Sequence, residues 1–163
     1  MEKSELRKGL ILKNPQIHKT AFTATGSRII GDVILKEDSS VWYNTVARAD
    51  INRITIGKRS NIQDNSVIHL ENDQGVDVGD DVTVGHNAII HGCTIQNGAL
   101  IGMGAIIMNG AVIGRGAVIG AGAVIKENMI VPDLSLVVGI PGKIIKTMTE
   151  DTYKNNVKWA HKY

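Results

Sequence analysis

The chain is short of several things at once, and each shortage narrows what it can be. Cys93 is its one cysteine, so no intrachain disulfide is possible and secretion gains no support. Prolines number 3, and Phe, Tyr and Trp together make up only 4% of the residues. A core without aromatics has to be filled by Ile, Val and Ala, which suits stacked strands. No stretch approaches the roughly 18 apolar residues of a membrane span. The amino-terminal MEKSELRKGLILKN holds an apolar run too short for a signal peptide, and no cleavage-site pattern follows it. The net charge is +2 with both signs interspersed and no basic run, which argues against a nucleic-acid surface. These absences predict a soluble, cytoplasmic chain of one-domain length with enough apolar residues for a sizeable core.

What the chain does have is glycine, 18 in all, and an internal repeat. From Gly98 it reads GALIGM, GAIIMN, GAVIGR, GAVIGA, GAVIKE. Gly98, Gly104, Gly110, Gly116 and Gly122 recur every six residues, with Ala99 through Ala123 and Ile101 through Ile125 in step. Looser versions precede them in IIGDVIL, ITIGKRSNIQDNSVIH and VDVGDDVTVGHNAIIH, with a phase slip between Ile90 and Ile95 and a loop at ENDQG, 71–75. A period of six is neither helical nor simple strand alternation. It predicts a coil in which each hexad gives one short strand and one turn: the aliphatic residue points inward, the small residue fills the corner and glycine supplies the turn angles. Three hexads close a triangular coil, and successive coils stack as an all-β solenoid that needs its ends covered. The tail TEDTYKNNVKWAHKY is expected to be that cover: a helix over 147–163 capped by Thr149, with Glu150 and Asp151 in its first turn and Lys158 and Lys162 near its end. Tyr153, Val157 and Ala160 fall on its packing face. Pro132, Pro141 and Gly142 mark the passage from coil to helix. The expected organisation is an N-terminal extension at 1–14, a coil over 15–146 and the helix. Periodicity does not give the hand of the coil, and the usual crossover rule favours the right.

The hexads resemble those of the left-handed parallel β-helix proteins. Within that group, ARAD (47–50), NIQDNSVIH (61–69), VGH (84–86) and HGC (91–93) resemble, in that order, gamma-class carbonic anhydrases and their close relatives. The similarity spans roughly residues 15 to 146. It implies a left-handed coil and a homotrimer with sites between subunits.

Three of the five histidines sit inside the rhythm. His69 and His91 each follow an aliphatic residue, where the repeat otherwise places glycine. His86 stands one hexad position further on, after Gly85, so its imidazole projects differently. Bringing all three within about 2.0–2.1 Å of one ion is easier if one arrives from a neighbouring chain. The resemblance implies that arrangement, with His69 and His91 from one subunit and His86 from the next. Three neutral imidazoles leave an open coordination position, the pattern of a catalytic zinc site, although Fe(II) or Co(II) fits the same donors. Zinc in such a site lowers the pKa of a bound water towards about 7, and the hydroxide can attack carbon dioxide to form bicarbonate.

Arg48 and Asp50 lie two apart on an extended segment and so share a face. By residue type alone they read as a surface salt bridge; by resemblance they form an inter-subunit bridge beside the metal. Gln63 and Asp64 read either as a solvated turn or, by resemblance, as the group that hydrogen-bonds the metal-bound hydroxide and the group that orients a ligand. Asn61 reads as structural. The sequence also departs from the best-studied branch of the family, which carries a glutamate after the R-x-D aspartate and a longer acidic loop to move protons. Here Ile51 follows Asp50, and the loop is only LENDQG. Glu71 and Asp73 are the candidate shuttle groups, with loop solvation the alternative for both. Tyr153 is a candidate active-site aromatic against simple helix packing, and His18 and His161 read as surface residues. The leading expectation is thus a metal-dependent carbonic anhydrase with carbon dioxide and bicarbonate as substrates and other copies of itself as partners. The alternatives are an acyltransferase or thioesterase acting on coenzyme A esters, or a metal-binding scaffold of low activity.

Overall fold

The structure, a computed structural model, describes Gly9 and residues 13–163. The expected N-terminal extension therefore lies mostly outside the described residues. No helix among those described is long and apolar enough to cross a membrane. The chain winds into a parallel β-helix of about seven turns, with one helix at its C-terminal end.

Three faces make the triangular section. The first carries the early part of β3 (Arg28–Leu35) and of β5 (Val46–Ile56), then β7 (Val67–His69), β10 (Ile89–His91), β13 (Ile106–Ile107) and β16 (Val124–Ile125). The second carries β1 (Gln16–Ile17), the later parts of β3 and β5, β8 (Val76–Val78), β11 (Thr94–Ile95), β14 (Val112–Ile113) and β17 (Ile130–Val131). The third runs through β2 (Phe22–Thr23), β4 (Ser40–Val41), β6 (Asn61–Ile62), β9 (Thr83–Val84), β12 (Leu100–Ile101), β15 (Val118–Ile119) and β18 (Ser135–Val138). β19 (Lys143–Thr147) folds back antiparallel on β18. β3 and β5 pass round a corner without a break, which joins the first two faces into one 11-stranded sheet.

The hexad explains the core. Ile101, Ile107, Ile113, Ile119 and Ile125 are completely buried, one per face in succession, and Ala99 through Ala123 fill the corners between them. With no ring to accommodate, a column of branched side chains fills the narrow prism. The corners need a left-handed residue, and the glycines of the regular region provide it, Gly98 at φ +65° among them. In the earlier, looser coils the same backbone state is taken by Asn44, Asn65, Asp81 and Asn87, the residue types that tolerate it best.

Helix α1 spans Glu150–Ala160. Thr149 is its N-cap by backbone geometry, but its side chain makes no capping bond. The packing face also differs from expectation. Asn156 and Ala160 are the buried positions, and the Asn156 amide donates to the Gly98 and Gly116 carbonyls at 3.0 and 3.4 Å. Val157 is only half-buried. Tyr153 lies flat on the same corner. A Cβ on Gly98 would sit 2.4 Å from its ring, and the Arg115 guanidinium covers it at 4.2 Å. Gly98→Ala is therefore expected to expel the ring as well as incur the roughly 1–2 kcal/mol of a left-handed alanine. Gly122→Ala, at φ +67° with nothing within 4 Å, carries only the second cost. A larger fall in thermal stability for the first variant would measure the docking of the helix.

His161 is exposed, as expected of a surface residue, and its ring is also engaged. Its Nε2 lies 2.8 Å from Asp81 Oδ1, and Arg59 grips the same carboxylate through Nε at 2.6 Å and Nη2 at 2.8 Å. Burial pushes the Asp81 carboxyl up, but the bonds from Arg59 and His161 outweigh it and hold the group below its ordinary value of 3.8. A lowered folded value means that this stabilisation is complete above 3.8 and is lost as pH falls through the folded value. Asp81→Asn keeps a residue tolerant of the φ of +59° and removes the charge. The variant is expected to lose melting temperature at neutral pH, by about 1.5–3 kcal/mol of stability, and to show a smaller further loss than the native chain between pH 4 and 2.

Candidate metal centre

β7 and β10 are neighbours on the first face, and their pairing sets His91 directly over His69. The register exists because the loop at 70–75 lengthens the turn between the two histidines beyond that of the regular coils. As a result both imidazoles leave the same corner, between the first and second faces, with ring centroids 5.0 Å apart.

Each ring is held by one nitrogen. His69 Nε2 donates to Asp50 Oδ1 at 2.8 Å. Asp50 is buried on β5, and Arg48 of the same strand bonds its other oxygen, so this pair closes within one chain. Burial raises the Asp50 carboxyl, and the His69 bond and the Arg48 charge together more than reverse that, keeping it a low-pKa acceptor. His91 Nδ1 donates to Asn109 Oδ1 at 2.5 Å. The orientation of Asn109 is settled by its other end, where Nδ2 donates to Glu71 Oε1 at 3.2 Å. With Nε2 of His69 and Nδ1 of His91 both carrying protons, the remaining nitrogens, His69 Nδ1 and His91 Nε2, present lone pairs to each other at 3.0 Å. Facing lone pairs at that separation repel, and either an added proton or a metal ion between them relieves the repulsion.

His86 stands elsewhere. It occupies the turn between β9 and β10, at the corner between the third and first faces, with Nδ1 2.9 Å from Asp64 Oδ2. From His86 to His91 the chain crosses the whole first face, five residues or about 16 Å of extended backbone. One ion cannot bridge that, and among the described residues no group of three His, Cys, Asp or Glu side chains could hold a metal within a single chain. Gln63 lies on the same corner as His86, buried, with its amide donating to Asn61 Oδ1 at 3.1 Å, while Asn61 in turn donates to Thr83.

The other candidates separate by position. Glu71 is not a solvated loop group: its carboxylate is tied to Asn109, and Asn52 Nδ2 anchors the loop through the Asn72 carbonyl at 3.1 Å. Asp73 lines a separate hollow with Asn52, Arg53 and Gln74. Tyr153 is on the corner between the second and third faces, away from both histidine corners, so within its own chain it is a packing residue. His18 bonds Thr20 and takes no part. Burial pushes the Cys93 thiol up to about 12, which makes it a poor nucleophile at neutral pH. Asn109 escaped the sequence reading, although counting one 18-residue turn forward from His91 reaches it.

Known proteins agree with this architecture. The bacterial transferase hexapeptide (six repeats) pattern matches residues 92–127, and the hexapeptide repeat of succinyl-transferase matches 53–91. A probable carbonic anhydrase of Methanocaldococcus jannaschii is 46% identical over 147 residues, covering 90% of this chain and 92% of that one. A carbonic anhydrase of Geobacillus kaustophilus is 42% identical over 151 residues, covering 93% and 83%. The crystal structure of a hexapeptide transferase family protein from Anaplasma phagocytophilum superposes with a TM-score of 0.87 at 40% identity, covering 91% and 88%. The coil is thus the left-handed parallel β-helix of hexapeptide-repeat proteins, not the right-handed one the crossover rule favours. With relatives this similar along nearly its whole length, the chain belongs to the gamma-class carbonic anhydrase-like family.

Proposed function

We propose that the protein is a trimeric, metal-dependent carbonic anhydrase whose ion is held by His69 and His91 of one subunit and His86 of the next. The observation that carries this reading is the pair of facing lone pairs on His69 Nδ1 and His91 Nε2 at 3.0 Å, each ring fixed from behind by an oxygen acceptor. His86 is held in the same manner by Asp64 at its Nδ1, so Nε2 is the nitrogen it would offer to an ion. The face between the two histidine corners supports the assembly. Its outward row runs Val46, Val67, Ile89, Ile106 and Val124, with Tyr43 and Met103 exposed at one edge. An apolar strip flanked by complementary half-sites suits a closed ring of copies, each offering one corner to the next.

The donor set of three neutral imidazoles fits Zn(II), and equally Fe(II) or Co(II). Such an ion, when bound, makes hydroxide available from water near neutral pH for attack on carbon dioxide. The chain's own groups do the rest. Asp50, Asn109 and Asp64 keep each imidazole in the tautomer that presents a lone pair. Arg48, partly exposed beside Asp50, supplies positive charge where bicarbonate forms. Gln63, on the His86 corner, is the amide available to hydrogen-bond the reacting oxygen once released from Asn61. Ile51 offers no proton-carrying group, so proton export rests on solvent and on the loop, with Asp73 the remaining acidic candidate.

Carbon dioxide hydration by stopped flow, on protein loaded separately with zinc and iron(II), tests the reading. Metal-dependent activity that His86→Ala lacks supports it; a fully metallated trimer without activity moves the function to thioester hydrolysis or to a scaffold. Acyl transfer has the transferase names of relatives in its favour. Yet a groove of about 470 Å³ beside Lys36 and Arg115 and another of about 500 Å³ beside Lys36 and Lys58 contain none of His69, His86 or His91.

A further inference from the structure

We infer that Glu71 and Asn109 form a two-residue positioning bridge that sets the tautomer and aim of His91, so that Glu71 serves metal binding rather than proton transfer. The inference rests on the metal-site reading above and concerns residues outside its ligand set.

The argument is one of donor and acceptor bookkeeping. An asparagine side chain is ambiguous, since either end can turn towards an imidazole. If its Nδ2 faced His91, the ring would have to offer a lone pair at Nδ1 and carry its proton at Nε2, the nitrogen that faces His69. Metal binding at Nε2 would then first require a tautomer shift. The Glu71 carboxylate removes the ambiguity. It only accepts, so it holds Nδ2 at 3.2 Å and leaves Oδ1 for His91. The carboxylate is itself placed: the Glu71 amide donates to the Gln74 carbonyl at 2.9 Å, and Asn52 of β5 ties the loop to the coil. Gly92, beside Asn109, takes the left-handed corner at φ +48°, a state that a side chain would strain. The short LENDQG loop thus has a use that does not involve solvent. It brings one carboxylate over the coil's corner to orient an amide one turn further on.

A cycle of variants distinguishes orientation from simple negative charge. Asn109→Leu is expected to weaken zinc binding about 10- to 100-fold, read by competition with a chromophoric chelator, and to alter the visible ligand-field spectrum of the cobalt(II) form, with melting temperature little changed. Glu71→Leu in the native background should weaken binding about tenfold, at the lower end of that range. Asn109→Asp needs no orienting, because both of its oxygens accept. In that background Glu71→Leu should therefore be neutral or tighten binding by removing a like charge. If Glu71→Leu costs the same in both backgrounds, Glu71 acts only through its charge and the bridge is wrong. The bridge is equally wrong if Asn109→Leu binds zinc as the native protein does and leaves the cobalt spectrum unchanged. A native protein that takes up no zinc or cobalt at all would instead overturn the metal-site reading, and the bridge with it.

Discussion

Trimers assembled from a mixture of His86→Ala and His69→Ala chains are expected to recover metal-dependent activity that neither variant has alone. On the proposed arrangement each variant by itself presents only incomplete sites, because a shared site would take His69 and His91 from one subunit and His86 from its neighbour. In a mixed ring, a His86→Ala chain contributes an intact His69–His91 pair to an intact His86 on the adjacent His69→Ala chain. Random assembly from equal amounts restores about a quarter of the sites. The measurement is stopped-flow carbon dioxide hydration, together with metal content, on refolded trimers whose mixed composition is verified by mass. If all three ligands came from one chain, no mixture would regain anything. The geometry disfavours that outcome, since His86 and His91 stand at opposite corners of one face with about 16 Å of extended backbone between them.

Ile89→Asp is expected to dissociate the assembly and, with it, to abolish metal binding. Ile89 is 41% exposed in the single chain, as is Val67 beside it, and neither points into the core. A charge there can be solvated in the isolated subunit, so the coil should keep its circular dichroism and much of its melting temperature. Buried against a neighbour without a partner, the same carboxylate costs about several kcal/mol at each contact. Light scattering should then report single chains, and chelator competition should report no tight site. Ile130→Asp is the control: that residue is 63% exposed on the second face, outside the apolar strip, and the variant should remain assembled and metallated. Dissociation by Ile130→Asp with retention by Ile89→Asp would place the interface on the second face and detach it from the histidines.

Much of the coil was legible before any coordinates because its repeat is strict where it matters. Ile101 through Ile125 are inward and fully buried, as their spacing requires, and the glycines in step with them adopt the left-handed corners. The site was legible only in part. His69, His86 and His91 stand out because imidazoles are unexpected in such walls, but their relation to one another could not be counted in sixes. His69 and His91 are 22 residues apart, which is no multiple of the repeat. They align because the loop at 70–75 lengthens the turn between them. Tyr153 is a residue whose type left chemistry and helix packing both open, and within its own chain it packs on the Gly98 corner.

The sequence by itself determined the solenoid and the aliphatic filling of its core, because those follow from local preference and a period that repeats turn after turn. Only the tertiary structure decided which side chains meet. Asp50 reaches His69 across 19 residues, Glu71 reaches Asn109 across 38, and His161 reaches Asp81 across 80. Those distances depend on how many residues each turn of the coil consumes and on where the final helix lies. Such contacts leave no periodic trace, because each is made once, by a particular pair, after the repeating wall has already formed.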